Sequence, residues 1–121
     1  MVWLKRIALV FIIICLGTAI DFAVHSLSVV LAESPEYFTH KIIYGTIWAF
    51  VGYLLFRKYA KNPVRLAFAM AAVPAVLLQT FYFVFEHDPI WKTAMFLFVH
   101  FFAFWLCGYF ICKKFWTIFQ D

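Results

Sequence analysis

Asp21 and His25 lie four residues apart in one of the most apolar stretches of the chain, "GTAIDFAVHSL" from Gly17 to Leu27. Four residues are about one helical turn, so the two side chains share one face of a helix. An ionised aspartate that faces lipid costs at least ~2.5–3.5 kcal/mol, and Asp21 is therefore expected to face a bundle interior or a wet cavity. The pair indicates a functional site, or else a polar contact that holds helices together.

Polar side chains recur at helical spacing in three further apolar stretches. His40 and Tyr44 are one turn apart, Gln79 and Tyr82 are three residues apart, and His100 lies in the last stretch. With a rise of about 1.5 Å per residue and alternating helix directions, most of these residues fall in the outer half of a bilayer. They predict a hydrated, substrate-binding cavity. Its candidate residues are Asp21, His25, His40, Tyr44, Gln79, Tyr82 and His100.

The histidines raise a second possibility, because four of them are enough for zinc or for two axial haem ligands. No helix carries two histidines at i, i+4, so no metal-ligand motif supports it. Zinc bound by Asp21 and His25 is conceivable, and its third ligand would be His40 or His87. The alternative to a transport site is thus a metal- or haem-binding membrane subunit that uses His25, His40 and His100. The sequence assigns no metal, no cofactor and, lacking a G-x-S-x-G motif, no catalytic residue.

The elements that must position these residues follow from composition. Of 121 residues, 67% are hydrophobic and only 13% are charged, whereas a soluble domain is about half apolar and a quarter charged. A soluble protein of this size would have too little interior for 17 Phe and 5 Trp. The chain is predicted to be an all-α membrane protein, a single domain over 1–121. Its four transmembrane helices are expected at about 7–31, 35–57, 63–86 and 89–113.

Three of these helices begin with a pattern typical of helix starts, a capping residue followed by proline at the first helical position. The dipeptides are Ser34-Pro35, Asn62-Pro63 and Asp88-Pro89.

Basic residues are divided unequally between the two predicted membrane sides. Eight lie on one side: Lys5, Arg6, Arg57, Lys58, Lys61, Arg65, Lys113 and Lys114. Lys41 and Lys92 lie on the other. The positive-inside rule then predicts a multi-pass protein of the cell (inner) membrane with both termini in the cytoplasm. Since the basic residues cluster beside apolar runs, they do not indicate binding to nucleic acid.

An internal repeat is also predicted. The second helix ends in "GYLLFRKYAK" and the fourth in "GYFICKKFWT", while "RIALVF" and "RLAFAM" open the first and third helices alike. The pattern indicates a helical hairpin that is present twice in the same orientation.

Together, these features resemble the GtrA-like family, small four-helix membrane proteins of cell-surface polysaccharide pathways. Gly17 and Asp21 match the G-x-x-x-D element of the family's first helix. The ends of the second and fourth helices fit the family pattern at aromatic and basic positions, namely Tyr53, Arg57, Tyr109, Lys113 and Trp116. The family's asparagines are replaced here by Gly52, Phe56, Gly108 and Cys112.

The resemblance implies a non-enzymatic flippase that moves a polyprenyl-phosphate-linked sugar across the membrane, or an accessory subunit of the glycosyltransferase that makes this lipid. The partners would be membrane lipid and either a second copy of the chain or a membrane glycosyltransferase. Cations near each interface suit a lipid phosphate: Arg57 and Lys113 inside, Lys41 and Lys92 outside. A purely structural subunit of a larger membrane complex is the third possibility.

Overall fold

The computed structural model describes residues 1–27, 29 and 32–120, most of which are in helices and none of which is in a strand. The helices are α1 (Val2–His25), α2 (Pro35–Phe56), α3 (Pro63–Phe85), α4 (Ile90–Lys114) and the short α5 (Trp116–Phe119). Each long helix packs against two others, in the order α1, α2, α3, α4 and back to α1. Short connections make successive long helices antiparallel. The all-α fold class is therefore confirmed for the described residues.

Three of these helices suit a membrane. Within the described part of the chain, α1, α3 and α4 are long and apolar enough to cross one, by length and composition. The 22 residues of α2 do not reach that level, because its first two turns carry Glu36, His40 and Lys41. The fourth crossing and the direction of the chain across the membrane stay predictions.

The proline-containing helix starts behave in two ways. Asn62 caps α3, where its side chain accepts a hydrogen bond from the backbone N–H of Arg65 at 2.9 Å, and Ser34 is the N-cap of α2. In α4, however, Pro89 is itself the N-cap and Ile90 is the first helical residue. Pro89 has an extended ψ of 147°, so the expectation that it opens the helix is wrong by one residue.

The first helix is displaced from its predicted range of 7–31, since α1 begins at Val2 and ends at His25. Its end is marked by Ser26, whose backbone N–H and hydroxyl both donate to the carbonyl oxygen of Phe22. Residues 28, 30 and 31 lie outside the described residues. Hydropathy placed the end too late because the apolar composition continues beyond the last helical turn.

The two ends of the bundle differ in charge. The acidic end, where α1 connects to α2 and α3 to α4, carries Glu33, Glu36, Glu86 and Asp88. The basic end, where α2 connects to α3 and α4 leads into α5, carries Arg57, Lys58, Lys61, Lys113 and Lys114. This antiparallel arrangement is the one on which the predicted cytoplasmic location of the basic end depends.

At the basic end, buried side chains hold α5 in place. Arg6 is only 3% exposed, and its guanidinium donates to the carbonyl oxygens of Ile118 at 2.7 Å and Gln120 at 2.5 Å. The Tyr53 hydroxyl donates to the carbonyl oxygen of Phe119 at 2.8 Å. Three successive carbonyl groups that the helix end would leave unpaired are thereby satisfied.

The predicted internal repeat pairs residues of the first hairpin with residues of the second, and the paired residues differ in burial. Arg6 is buried whereas Arg65 is exposed, and Tyr53 is buried whereas Tyr109 is half-buried. The duplication of the hairpin stays a prediction, and the two hairpins differ in the roles of these residues.

Gly17 lets α1 and α4 approach closely, because a Cβ atom at this position would overlap the ring of Phe104. Alanine is the better helix former by up to about 1 kcal/mol, yet we expect Gly17→Ala to lower the melting temperature in detergent, because the ring must move. Gly45→Ala is the matched control, since its Cβ would lie 3.2 Å from Cγ2 of Ile14, and a smaller loss is expected. A more stable Gly17→Ala protein would contradict this close packing.

The orientation can be tested with single cysteines in a variant in which the three native ones, Cys15, Cys107 and Cys112, are replaced by alanine. If the basic end is cytoplasmic, Asp88→Cys reacts with an impermeant maleimide added to intact cells and Lys61→Cys reacts only after permeabilisation. Labelling of Lys61→Cys in intact cells would show that the basic end is outside, contrary to the predicted orientation.

Candidate functional site

Polar side chains from all four long helices meet inside the bundle. This buried polar cluster consists of Asp21 and His25 from α1, Lys41 from α2, Gln79 from α3 and His100 from α4, each no more than 2% exposed. Such a concentration of polar groups in an apolar interior is costly unless they bond to one another.

The ammonium group of Lys41 is the centre of the cluster. Its Nζ donates to Asp21 Oδ2 and to the Tyr37 hydroxyl, the latter at 2.8 Å, and it contacts His100 Nε2. An ammonium group has three donors and no acceptor, so these three partners saturate it. His100 Nε2 must then present its lone pair to Lys41, which places the imidazole proton on Nδ1.

Two further contacts fix the imidazole rings. Nε2 of the Gln79 amide lies 2.7 Å from His100 Nδ1. With the proton on Nδ1, the amide oxygen belongs at this position in place of the nitrogen, where it accepts that proton. His25 Nε2 lies 3.4 Å from Asp21 Oδ2, and the His25 ring stacks on Phe96 with centroids 4.2 Å apart. Both rings therefore face the carboxylate in defined orientations.

An open cavity of about 320 Å³ lies at the acidic end of the bundle. The residues that line this acidic cavity are Glu33, Ser34, Glu36, Tyr37, His40, Tyr82, Glu86, Asp88 and Lys92. Tyr37 joins the cavity to the buried polar cluster, because its ring lines the cavity and its hydroxyl bonds to Lys41. Its ring also lies 5.0 Å from that of Tyr82. The cluster is thus one side chain away from water.

Carboxylates dominate the electrostatics of this cavity. Its one lysine, Lys92, forms an ion pair with Glu33 at 3.1 Å. Partial burial, together with the negative charges of Glu33 and Glu86, raises the pKa of the Asp88 carboxyl above its usual value, although Lys92 opposes the shift. The acidic cavity therefore favours neutral polar or cationic groups over anions.

The basic end carries a second cavity, of about 440 Å³. This basic cavity is lined by Arg57, Lys58, Ala60, Lys61, Leu66, Trp116, Phe119 and Gln120. The Arg57 guanidinium also lies 5.0 Å from the ring of Trp3. Lys113 does not line the cavity; it is exposed, with its ammonium 5.8 Å from the Tyr109 ring.

Two apolar grooves, each of about 550 Å³, lie on the outer face between α2 and α3. The first shares Ala60 with the basic cavity, and the second shares His40, Tyr82 and Glu86 with the acidic cavity. Leu77 lines both grooves. The α2–α3 face thus offers an apolar surface that reaches from one polar cavity to the other.

The structure divides the predicted site residues into two groups. Asp21, His25, Gln79 and His100 do meet in the interior, but as a closed polar cluster. His40 and Tyr44 are exposed on the groove, and Tyr82 is half-buried at the acidic cavity. The expected single cavity lined by all seven residues is therefore replaced by a buried cluster and a surface cavity.

Lys41 is a clear correction. The sequence placed it with Lys92 as a cation at the outer interface, but its side chain has no exposed surface and pairs with Asp21. The sequence also missed Tyr37, which lies one turn before Lys41 on α2. That spacing was the available signal, whereas the contact with Asp21 joins residues 20 positions apart and depends on how the helices are rotated.

The cluster also contains groups that can hold a metal. Among the described residues, Asp21, His25 and His100 bring ligand atoms within 4.8 Å of one another. His40 lies on the exposed face of α2 and is not part of this group, so the expected set of His25, His40 and His100 is wrong in its second member. No protein-family model matches the chain, and no curated protein or solved structure is significantly similar to it.

Removing one partner of the buried ion pair should destabilise the fold strongly. Lys41→Met leaves a buried carboxylate without its cation and Asp21→Asn leaves a buried ammonium, and each is expected to cost about 3–5 kcal/mol. The double variant removes both charges and should lose less than either single variant. Unfolding free energies in detergent measure the effect.

The matched control is the part-exposed pair of Lys92 and Glu33. Lys92→Met should cost about 1 kcal/mol or less, because solvent screens such a pair. If the losses from Lys41→Met and Asp21→Asn simply added in the double variant, the two side chains would not be coupled.

Proposed function

We propose that this chain is a non-enzymatic membrane protein that binds a polyprenyl-phosphate-linked sugar. It either moves this lipid across the cell membrane or acts as an accessory subunit of the glycosyltransferase that makes it. The resemblance to GtrA-like proteins suggests the substrate. The observation that carries the proposal is the pair of polar cavities joined by apolar grooves along the α2–α3 face.

The phosphate of the ligand fits the basic cavity better than the acidic one. Arg57, Lys58 and Lys61 line the basic cavity, and basic side chains beside a membrane attract phosphate head groups. At the acidic cavity the one lysine is already paired with Glu33. We therefore place the phosphate at the basic cavity, and not at Lys41 and Lys92 as the sequence also suggested.

The hydrocarbon tail fits the grooves. The groove beside the basic cavity is lined by Phe68, Ala72, Val73 and Val76, which bury apolar surface favourably. Arg65 lies at its rim, close to where a head group would leave the groove. An isoprenoid chain on this face would keep its contact with the surrounding lipid.

The acidic cavity suits the sugar. Carboxylates and tyrosine hydroxyls such as those of Glu36 and Tyr82 bond to neutral hydroxyl groups without requiring an anion. Tyr37 would sense the ligand through its bond to Lys41, so the buried polar cluster holds one wall of the cavity in position.

Movement between the cavities needs a further component. Val73, Val76 and Leu77 line the middle of the face, and an apolar surface offers a sugar no hydrogen bonds. A second copy of the chain or a membrane glycosyltransferase would complete the path on this face. With the basic end in the cytoplasm, the phosphate would be bound on the cytoplasmic side.

The test compares two double variants in proteoliposomes that contain a fluorescent polyprenyl-phosphate hexose. Arg57→Gln/Lys61→Gln should lower the initial rate of flipping by about tenfold, which corresponds to the loss of about 1.4 kcal/mol of binding. Lys5→Gln/Lys114→Gln is the matched control, because it removes two exposed charges from the same end outside the basic cavity. Its rate should stay within about twofold of the native rate.

Equal rates for the two double variants would overturn the phosphate site. If the native protein flips nothing, the accessory role predicts that adding the membrane glycosyltransferase restores a difference between the variants. A purely structural subunit would instead show the same glycosyltransferase activity with both.

A further inference from the structure

Three side chains of the buried polar cluster direct metal-ligand atoms at one another. His25 Nε2 lies 3.4 Å from Asp21 Oδ2, and His100 Nε2 lies 3.1 Å from Asp21 Oδ1. In a tetrahedral zinc site with bonds of about 2.0–2.1 Å, ligand atoms are about 3.3 Å apart. Each imidazole nitrogen thus lies at about this spacing from one of the two Asp21 oxygens, and a set with one ligand atom from each of the three residues lies within 4.8 Å.

A positive charge already occupies this set of ligands. The Lys41 ammonium bonds to Asp21 Oδ2 and contacts His100 Nε2, which are two of the atoms that a metal ion would need. Its third partner is the Tyr37 hydroxyl at 2.8 Å, and the Tyr37 ring lines the acidic cavity. The ammonium thus lies between the ligand atoms and the route from water.

The cluster is also short of polar partners. Among the described residues, Thr18 Oγ1 has no hydrogen-bond partner, and Asp21 Oδ1 has only its 3.1 Å contact with His100 Nε2, whose lone pair already faces Lys41. Asp21 is 0% and Thr18 only 4% exposed. Buried oxygen atoms are rarely left without a hydrogen bond. A cation bound between Asp21 and the imidazoles would satisfy the carboxylate oxygen.

We propose that the buried polar cluster is an exchangeable site for a divalent transition-metal ion such as Zn²⁺, with the Lys41 ammonium as its resident cation. Asp21, His25 and His100 are the ligands, and Lys41 moves towards the acidic cavity when the metal enters. Two imidazoles with one carboxylate favour such an ion over Na⁺, Mg²⁺ or Ca²⁺, which prefer oxygen ligands. Binding of the metal does not require the proposed lipid-linked sugar, although Lys41 would turn towards the cavity that is proposed to hold the sugar.

The acidic cavity can accept the displaced Lys41 ammonium and offers the metal a route into the cluster. Its carboxylates attract a dication from solution, and the same carboxylates can neutralise the ammonium when it turns outward past Tyr37. Glu33 and Glu36 lie on the wall of this cavity together with Tyr37. Gln79 would orient His100 from behind, as groups that bond to the second nitrogen of a metal-bound imidazole commonly do.

The experiment uses the full chain in detergent micelles, treated with chelator and titrated with Zn²⁺ by calorimetry. Co²⁺ absorbance reports tetrahedral coordination. His25→Gln and His100→Gln should each weaken binding at least tenfold, and Gln79→Leu should weaken it about 10- to 100-fold, as is usual for such supporting groups. The exposed His87 provides the matched control, and His87→Gln should bind like the native protein. Equal affinities for the native protein and His25→Gln would overturn the site.

Lys41 separates exchange from permanent occupation. Lys41→Met should bind Zn²⁺ at least tenfold more tightly than the native protein, because the competing cation is gone. An unchanged affinity, or binding by Lys41→Met alone, would overturn the exchange.

Should Lys41→Met fail to fold, Lys41→Arg is the second variant. A guanidinium holds a carboxylate with two hydrogen bonds, so it should weaken Zn²⁺ binding about tenfold, and an affinity equal to the native one would contradict competition. Because no sugar or lipid substrate is present, these results are independent of the flipping assay.

Discussion

A charge that cannot reach water must be matched inside the protein, and the Lys41–Asp21 pair sets that condition for the whole bundle. Each of the four long helices contributes a polar side chain within bonding distance of this pair or of its partners. The requirement fixes how every helix is rotated about its axis, because a turn of one residue would place a polar group against lipid or leave a charge unmatched. Apolar packing alone would permit more arrangements, since lipid tails are as apolar as the helix surfaces.

The buried polar cluster lies in the interior between the acidic cavity and the basic cavity. The acidic and basic cavities are open and offer surfaces of opposite charge, whereas the interior between them contains the Lys41 ion pair and then a tightly packed apolar core. The interior of a single bundle is thus unlike a channel. The grooves on the outer α2–α3 face, at about 550 Å³ each, are larger than the acidic and basic cavities, at about 320 and 440 Å³.

Much of the fold could be predicted from local patterns. Composition indicates an all-helical membrane protein, and the sequences at Ser34-Pro35 and Asn62-Pro63 mark helix starts because capping and proline chemistry act within a few residues. Asp21 was recognised as an interior residue because the cost of exposing it to lipid does not depend on the details of packing. The end of α1 was less predictable, since hydropathy does not detect where a helix stops.

The partners of Asp21 were harder to predict. His25 follows from spacing along one helix, but Lys41 and His100 reach the same carboxylate from other helices. A lysine near a helix start also resembles an interfacial cation, and its long side chain allows it to extend either way. Which way it extends depends on the carboxylate across the bundle, and a single sequence carries no record of that contact.

The hydrogen bonds of Arg6 join the most distant parts of the chain that meet at the basic end. Its acceptors, Ile118 and Gln120, are 112 and 114 positions away along the chain, and contacts between such distant positions require the largest loss of chain entropy. Neighbouring helices can pair as hairpins at a much smaller cost, because their connections are short. Joining α1 to α5 therefore carries a high cost in chain entropy, and it ties the two ends of the chain together beside the contact of α1 with α4 that closes the ring of four helices.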